Sequence, residues 1–338
     1  MKPLFRSIAL ALSAALLAAH AGAQAPNWDE ITAAAKKEGS VVLYSAAVGA
    51  PTVKEINRLF EAKYGIRVQL LEARASELRE RVRAEQTAGR FLGDLMYNGS
   101  TTTDLMQRDG SLQPLAQLPA ARDFAPPWQA DEMRTPINAL CYGLLVNNNL
   151  VKPGEEPKSW RDLADPKWQG KIISDDMRAL GGGSIFFFVT HDAFGPAYHE
   201  ALAKQNLHFS RDIRNEERRV ARGEYPMYMP EVLPYFLQLK GLPVRFVVPQ
   251  EGCPYVRFDM SRLKSSPNPN AARLLANFYL EKEAQLVFAN AGFNPVKQGI
   301  VEAADPAVRD LLRTKPMGTS NVDRQTELLE LANKIYKR

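Results

Sequence analysis

A chain of 338 residues has room for two domains at about 150 residues each. Its 43 basic and 38 acidic residues leave a formal charge of +5, with no Lys/Arg block and no basic–aromatic interleaving. That balance argues against a nucleic-acid surface, and any preference for anions must come from a local site.

The first residues read as an export signal. Lys2 and Arg6 give a positive start, Ile8 to Ala19 an apolar run, and Ala21-Gly22-Ala23 a small-residue cleavage site. The run falls short of the roughly 20 residues that span a bilayer. Residues 1–23 are therefore expected to be a removable signal peptide, and the mature chain to be periplasmic.

Strands and helices then alternate. Val41 to Tyr44 forms a short buried-type strand, Ser45 to Ala50 a small-residue loop, and Val53, Ile56 and Phe60 one face of a helix stopped at Tyr64-Gly65. Ile66 to Leu70 alternates as a strand, Ser76 to Ala88 is helical, and Asp94 to Tyr97 runs as a strand into Asn98-Gly99-Ser100. Such alternation predicts parallel strands with helices on their faces. Ligands bind outside the carboxyl ends of such strands, which puts Ser45, Ala46 and Ser100 at the expected mouth.

Pro157 to Ile172, PKSWRDLADPKWQGKI, is the most distinctive stretch. Ser159 with Asp162 makes a capping box, and Asp165-Pro166 stops the short helix. Trp168 then offers an apolar anchor, and Gly170 releases the chain into Lys171-Ile172-Ile173. Farther on, Asn268 to Val296 carries an apolar helix, a second helix with Ala284-Gln285, and the turn Gly292-Phe293-Asn294-Pro295. Cys141 and Cys253, in an oxidising compartment, read either as small buried residues or as a disulfide.

The Pro157–Ile172 arrangement closely resembles the start of the second lobe in type II periplasmic solute-binding proteins, and the Asn268–Val296 stretch is similar to the same family. These are the capture subunits of ABC importers, in the branch that takes ferric iron, phosphonates and sugar phosphates. The resemblance implies an α/β, two-lobed fold, each lobe a mixed sheet flanked by helices, joined by two crossover strands. Lobe 1 would span residues 24–139 and, with the second crossover, 253–305. Lobe 2, with the first crossover, would span 140–252, and a C-terminal helical segment 306–338. Cys141 and Cys253 would then lie on the crossovers, where a bridge would pin the hinge. The implied partners are a small-molecule solute and a membrane permease with its ATPase, the protein itself being a monomer without a cofactor.

Candidate ligand contacts follow from residues and resemblance together. Gly182, Gly183 and Ser184 open the apolar helix Ile185 to Val189, where a helix N-terminus favours anions; the plainer reading is a flexible turn. Arg178 sits just beyond a strand end and suits a carboxylate or phosphate, or else is solvated. Arg214 lies in a basic stretch that reads equally as surface. Glu231 can meet a cationic group, and Tyr142 the hinge-side wall or simple packing.

Ferric-binding members carry adjacent tyrosines beyond a Gly-Glu. Here Gly223-Glu224 is followed by Pro230-Glu231-Val232-Leu233-Pro234, with tyrosines scattered at Tyr225, Tyr228 and Tyr235. The expected solute is therefore a small anion: a phosphonate, phosphate ester or carboxylate. Fe(III) as ligand, a neutral or polyamine ligand, and a sensor module are the alternatives. Enzyme motifs fail: His199-Glu200 has Ala203 where a zinc protease needs histidine, and no Gly-x-Ser-x-Gly occurs.

Overall fold

The computed structural model describes residues 27–115 and 117–337; the signal peptide expected at residues 1–23 lies outside them. Asn27 caps the first helix, α1 (Trp28–Glu38), by accepting from the Asp29 amide, and Gly39 ends it at φ 73°. β1 (Ser40–Ser45), α2 (Pro51–Tyr64), β2 (Arg67–Glu72), α3 (Ala75–Thr87), β3 (Leu95–Gly99) and α4 (Ser100–Arg108) follow as strand–helix units. β1 pairs in parallel with both β2 and β3, as the alternation predicts. Asp94, just before β3, is fully buried and accepts from the Val42 and Asn268 amides, the Asn268 side chain and the Ser266 hydroxyl.

After β4 (Leu112–Gln113), the 14-residue β5 (Arg134–Asn147) crosses between lobes. Lobe 2 contains β6 (Ile172–Asp175), α5 (Gly182–Phe194), α6 (Pro196–Ala203), β7 (His208–Ser210), α7 (Ile213–Ala221), β8 (Met227–Val232), α8 (Leu233–Phe236) and β9 (Val244–Val247). β10 (Cys253–Leu263) returns antiparallel to both β5 and β3. The continuous strand order is β2-β1-β3-β10-β5-β8-β6-β7, so each half of the mixed sheet hangs from a shared long-strand pair. α9 (Pro269–Tyr279), α10 (Lys282–Asn290), β11 (Asn294–Pro295), α11 (Ile300–Ala303) and α12 (Pro306–Leu312) complete lobe 1. β12 (Pro316–Gly318) then pairs with β10, and α13 (Gln325–Ile335) packs on lobe 2.

Each lobe has its own core. Phe60, Tyr97, Phe278 and Phe288 centre one; Trp160, Phe186, Phe187 and Tyr198 centre the other, with Leu328, Ala332 and Tyr336 added from the chain's last helix and the residue after it. Burying each large side chain contributes about 1.5–3 kcal/mol. A smaller cluster joins Leu233 and Phe246 of lobe 2 to Ala289, Ile300 and Leu312 at the hinge.

The Pro157–Ile172 segment shows why lobe 2 starts where it does. Ser159 caps residues Trp160–Ala164, which form a 3-10 rather than an α-helix, with Asp162 accepting the Ser159 amide at 3.0 Å. Trp160 is fully buried and donates to the Gly252 carbonyl at 2.8 Å, while Ser159 bonds Glu251. The first crossover's outflow is thus tied to the last residues before the second. Trp168 is also buried, under the Lys167 ammonium.

Candidate functional site

A cavity of about 610 Å³ lies between the lobes. Lobe 1 supplies the loop Ala46 to Ala50, the start of α2, and Asn290 and Phe293; the crossovers supply Leu140 and Phe258; lobe 2 supplies Arg214, Tyr235 and Gln238. Arg214 is the single charged side chain in this lining. Its guanidinium stacks on the Tyr235 ring, 3.7 Å from the centroid, and donates to Glu217 Oε2 at 3.3 Å. Stacking fixes the planar fork while leaving one edge for a ligand carboxylate or phosphate. A hollow of similar volume on the outer side of lobe 1, beside Trp28 and Arg122, is lined by one lobe alone; its Arg134 is already ion-paired with Asp104, Asp131 and Asp259.

Ala46 and Arg214 are the expected ligand residues that line the cavity. The rest stand elsewhere, each for a visible reason. Ser45 is buried at the end of β1, where its hydroxyl accepts the Ala47 amide at 3.2 Å and shapes the loop. Ser100 is buried at the first position of α4. Arg178, expected to bring charge to the ligand, instead makes a forked pair with Asp176 at 2.8 and 2.9 Å and donates to the Tyr336 carbonyl at 3.2 Å. Its guanidinium also covers Phe209.

The glycine run is the clearest correction. The anion expected at the N-terminus of α5 is the protein's own Asp175. Its carboxylate accepts the Gly183 amide at 2.7 Å and the Asp176 amide at 3.0 Å. Ser184 closes the turn by accepting from the Gly181 amide and donating to the Gly181 carbonyl. Glycine is needed here for space. A Cβ at Gly183 would stand 2.5 Å from the Asp175 carbonyl oxygen, and one at Gly182 3.1 Å from the Tyr142 ring.

Tyr142 therefore packs over Gly182, and burial raises its phenol above the usual range, with the charge of Asp175 and then Tyr235 adding. Burial also raises Asp175, opposed by the two amides that it accepts. Glu231 is fully buried on β8 rather than lining the cavity. Its carboxyl is raised well above the ordinary range by burial first and then by Glu217. Cys141 and Cys253 are paired as a disulfide with Cα atoms 5.4 Å apart, where β5 and β10 cross.

Gln238, Phe258 and Asn290 escaped the sequence reading because they come from three distant segments joined only by the crossover topology. Glu217 had a local signal, since it stands one turn beyond Arg214 on α7. For a metal, Leu233 and Pro234 occupy the start of α8 where adjacent tyrosines were sought. Among the described residues, no group of three or more His, Cys, Asp and Glu side chains is arranged to hold a metal ion.

A family profile described as bacterial extracellular solute-binding protein matches residues 95–323. An uncharacterised protein of Haemophilus influenzae is 25% identical over 297 residues, 83% of this chain and 82% of that one. Iron uptake protein A1 of Synechocystis is 32% identical over 129 residues, 36% of this chain and 34% of the relative. A Trichodesmium structure in complex with iron and citrate ligands superposes with a TM-score of 0.74 at 19% identity, covering 89% of this chain and 100% of its own. The likeness shows the same two-lobed type II periplasmic-binding-protein fold.

Proposed function

We propose that this chain, which belongs to the bacterial extracellular solute-binding protein family, captures a small organic anion between its lobes and delivers it to an ABC permease. The observation that carries the reading is Arg214, alone in charge in a cavity otherwise walled by aliphatic, aromatic, small and amide side chains. Most of the ligand's surface would meet Tyr235, Phe258 and Phe293, while the guanidinium fixes its anionic end, as small-molecule sites commonly do. Capture proceeds by hinge closure about β5 and β10, the solute shifting the open–closed balance by its greater affinity for the closed form. Periplasmic location fits the leader expected from the sequence at residues 1–23. Among the described residues no helix is long and apolar enough to cross a membrane.

A second reading has the same cavity taking ferric iron as an anionic chelate. The Synechocystis iron uptake relative and the Trichodesmium structure with iron and citrate favour it. A chelator's own oxygens would supply donors that the cavity lacks, and Arg214 would meet the chelate's net negative charge. A thermal-shift panel on mature protein stripped of ligand by unfolding and refolding separates the two. Saturation at a hundredfold excess over Kd adds about 2.7 kcal/mol of stability. Stabilisation by carboxylates, phosphate esters or phosphonates alone supports the first reading, and stabilisation requiring Fe(III) with citrate the second. Stabilisation by Fe(III) alone, with a visible tyrosinate band, rejects both.

A further inference from the structure

Behind the cavity wall lies a group of buried oxygens that solute binding, as described, does not use. Arg214 is held from behind by Glu217 of α7, and Glu231 lies on β8, the strand that this helix packs against, within reach of the Glu217 charge. Glu217 is 1% exposed and Glu231 0%. Glu217 Oε1, Glu231 Oε2 and Tyr228 Oη have no hydrogen-bond partner among the described residues. The other Glu231 oxygen accepts the Val232 amide at 2.6 Å. Two buried carboxyls, each with an unpartnered oxygen and near enough for the charge of one to act on the other, cannot both stay charged with one cation beside them.

The surroundings agree on direction. Burial raises Glu217, opposed by Arg214 and then Arg218 of the same helix. Burial raises Glu231 further, with the charge of Glu217 adding. Across from them, Tyr228 of β8, Tyr142 of β5 and Asp175 at the end of β6 bring no positive charge, and burial holds both phenols neutral. Arg214 is thus the main reason that Glu217 can ionise at all.

We infer that Glu217 and Glu231 form a proton-holding pair behind Arg214, keeping one proton at neutral pH and taking a second from solvent when an anion binds the guanidinium. An anion on the cavity side of Arg214 competes with Glu217 for the same positive charge. Protonation of Glu217 relieves that competition, so the solute is captured together with a proton. The coupling rests on the anion reading of the cavity, whereas the pair itself does not.

The experiment therefore has two arms. In the first, ligand-free mature protein carrying 13C at its glutamate carboxyl carbons is titrated by NMR. One glutamate still protonated at pH 7, and absent in Glu231→Gln, is expected; a spectrum with every glutamate ionised at pH 7 overturns the pair. Glutamine mimics the neutral carboxyl, so this variant keeps the packing. The second arm uses tartrate as the probe, because both its carboxyls stay ionised between about pH 5.5 and 7.5. Its affinity is expected to rise as pH falls, approaching about tenfold per pH unit for one proton taken up, and to be flat in Glu217→Gln. Equal affinity at every pH in the wild type, or an unchanged slope in Glu217→Gln, overturns the coupling. No tartrate binding at any pH tells against the anion reading and the coupling together, while the NMR arm still decides the pair.

Discussion

Asp175 shows how a single residue can reverse a functional reading. A glycine-rich helix start looks like an anion site, and chemically it is one, but the anion is covalently part of the chain. Gly183→Ala should then fail through crowding rather than lost binding. With its Cβ 2.5 Å from a backbone oxygen, a loss of about 1–3 kcal/mol is expected in urea unfolding. His199 makes a second residue-scale prediction. It is buried between the Tyr336 hydroxyl at 2.7 Å and the Thr190 hydroxyl at 3.1 Å. Burial first, then the neighbouring His191, lowers its pKa from 6.5 to about 3. The folded form thus favours neutral histidine. That stability is complete above pH 6.5 and is lost as pH falls toward 3, because the unfolded chain takes the proton first. The loss is on the order of 5 kcal/mol at the acid end. Melting temperatures from pH 7 to 4 should fall less steeply in His199→Gln than in the wild type.

At the scale of elements, much of the fold was legible. Hydrophobic runs and glycine stops placed β1, α2, β3, α9 and α10, and the family resemblance put Cys141 on a crossover, which is β5. Capping chemistry located the turn at Ser159, although three-residue periodicity won over the α-helix there, because Pro166 leaves too few residues for a longer helix. The site was less legible. Arg214 and Ala46 were nameable because each sits beside a local signal, a helix start or a strand end. Glu231 was nameable too, but not its burial, which depends on how β8 faces α7. Arg178 misled because its partners are Asp176, two residues away, and the carbonyl of Tyr336, 158 residues on. It ties the residue after α13 to lobe 2, so Arg178→Ala should weaken that docking and speed proteolysis of the C-terminal helix while leaving solute affinity unchanged.

For the whole molecule, the two long strands are both scaffold and hinge. The disulfide closes a 112-residue separation at their crossing, and the Thr314 hydroxyl lies 3.2 Å from Cys141 Sγ. Reduction should lower stability by about 2–4 kcal/mol, read as a shift of the urea midpoint with and without reductant. Both lobes keep their separate cores, so the loss should fall on the hinge and loosen closure. The central claim is that closure traps an anion against Arg214. Its most direct test is calorimetric titration of wild type, Arg214→Ala and Arg178→Ala with the best anion from the thermal panel. Losing one charge-assisted contact of about 1.5–3 kcal/mol should weaken Arg214→Ala roughly tenfold to a hundredfold, with Arg178→Ala indistinguishable from wild type. Full affinity in Arg214→Ala, or a comparable loss in Arg178→Ala, would contradict the account.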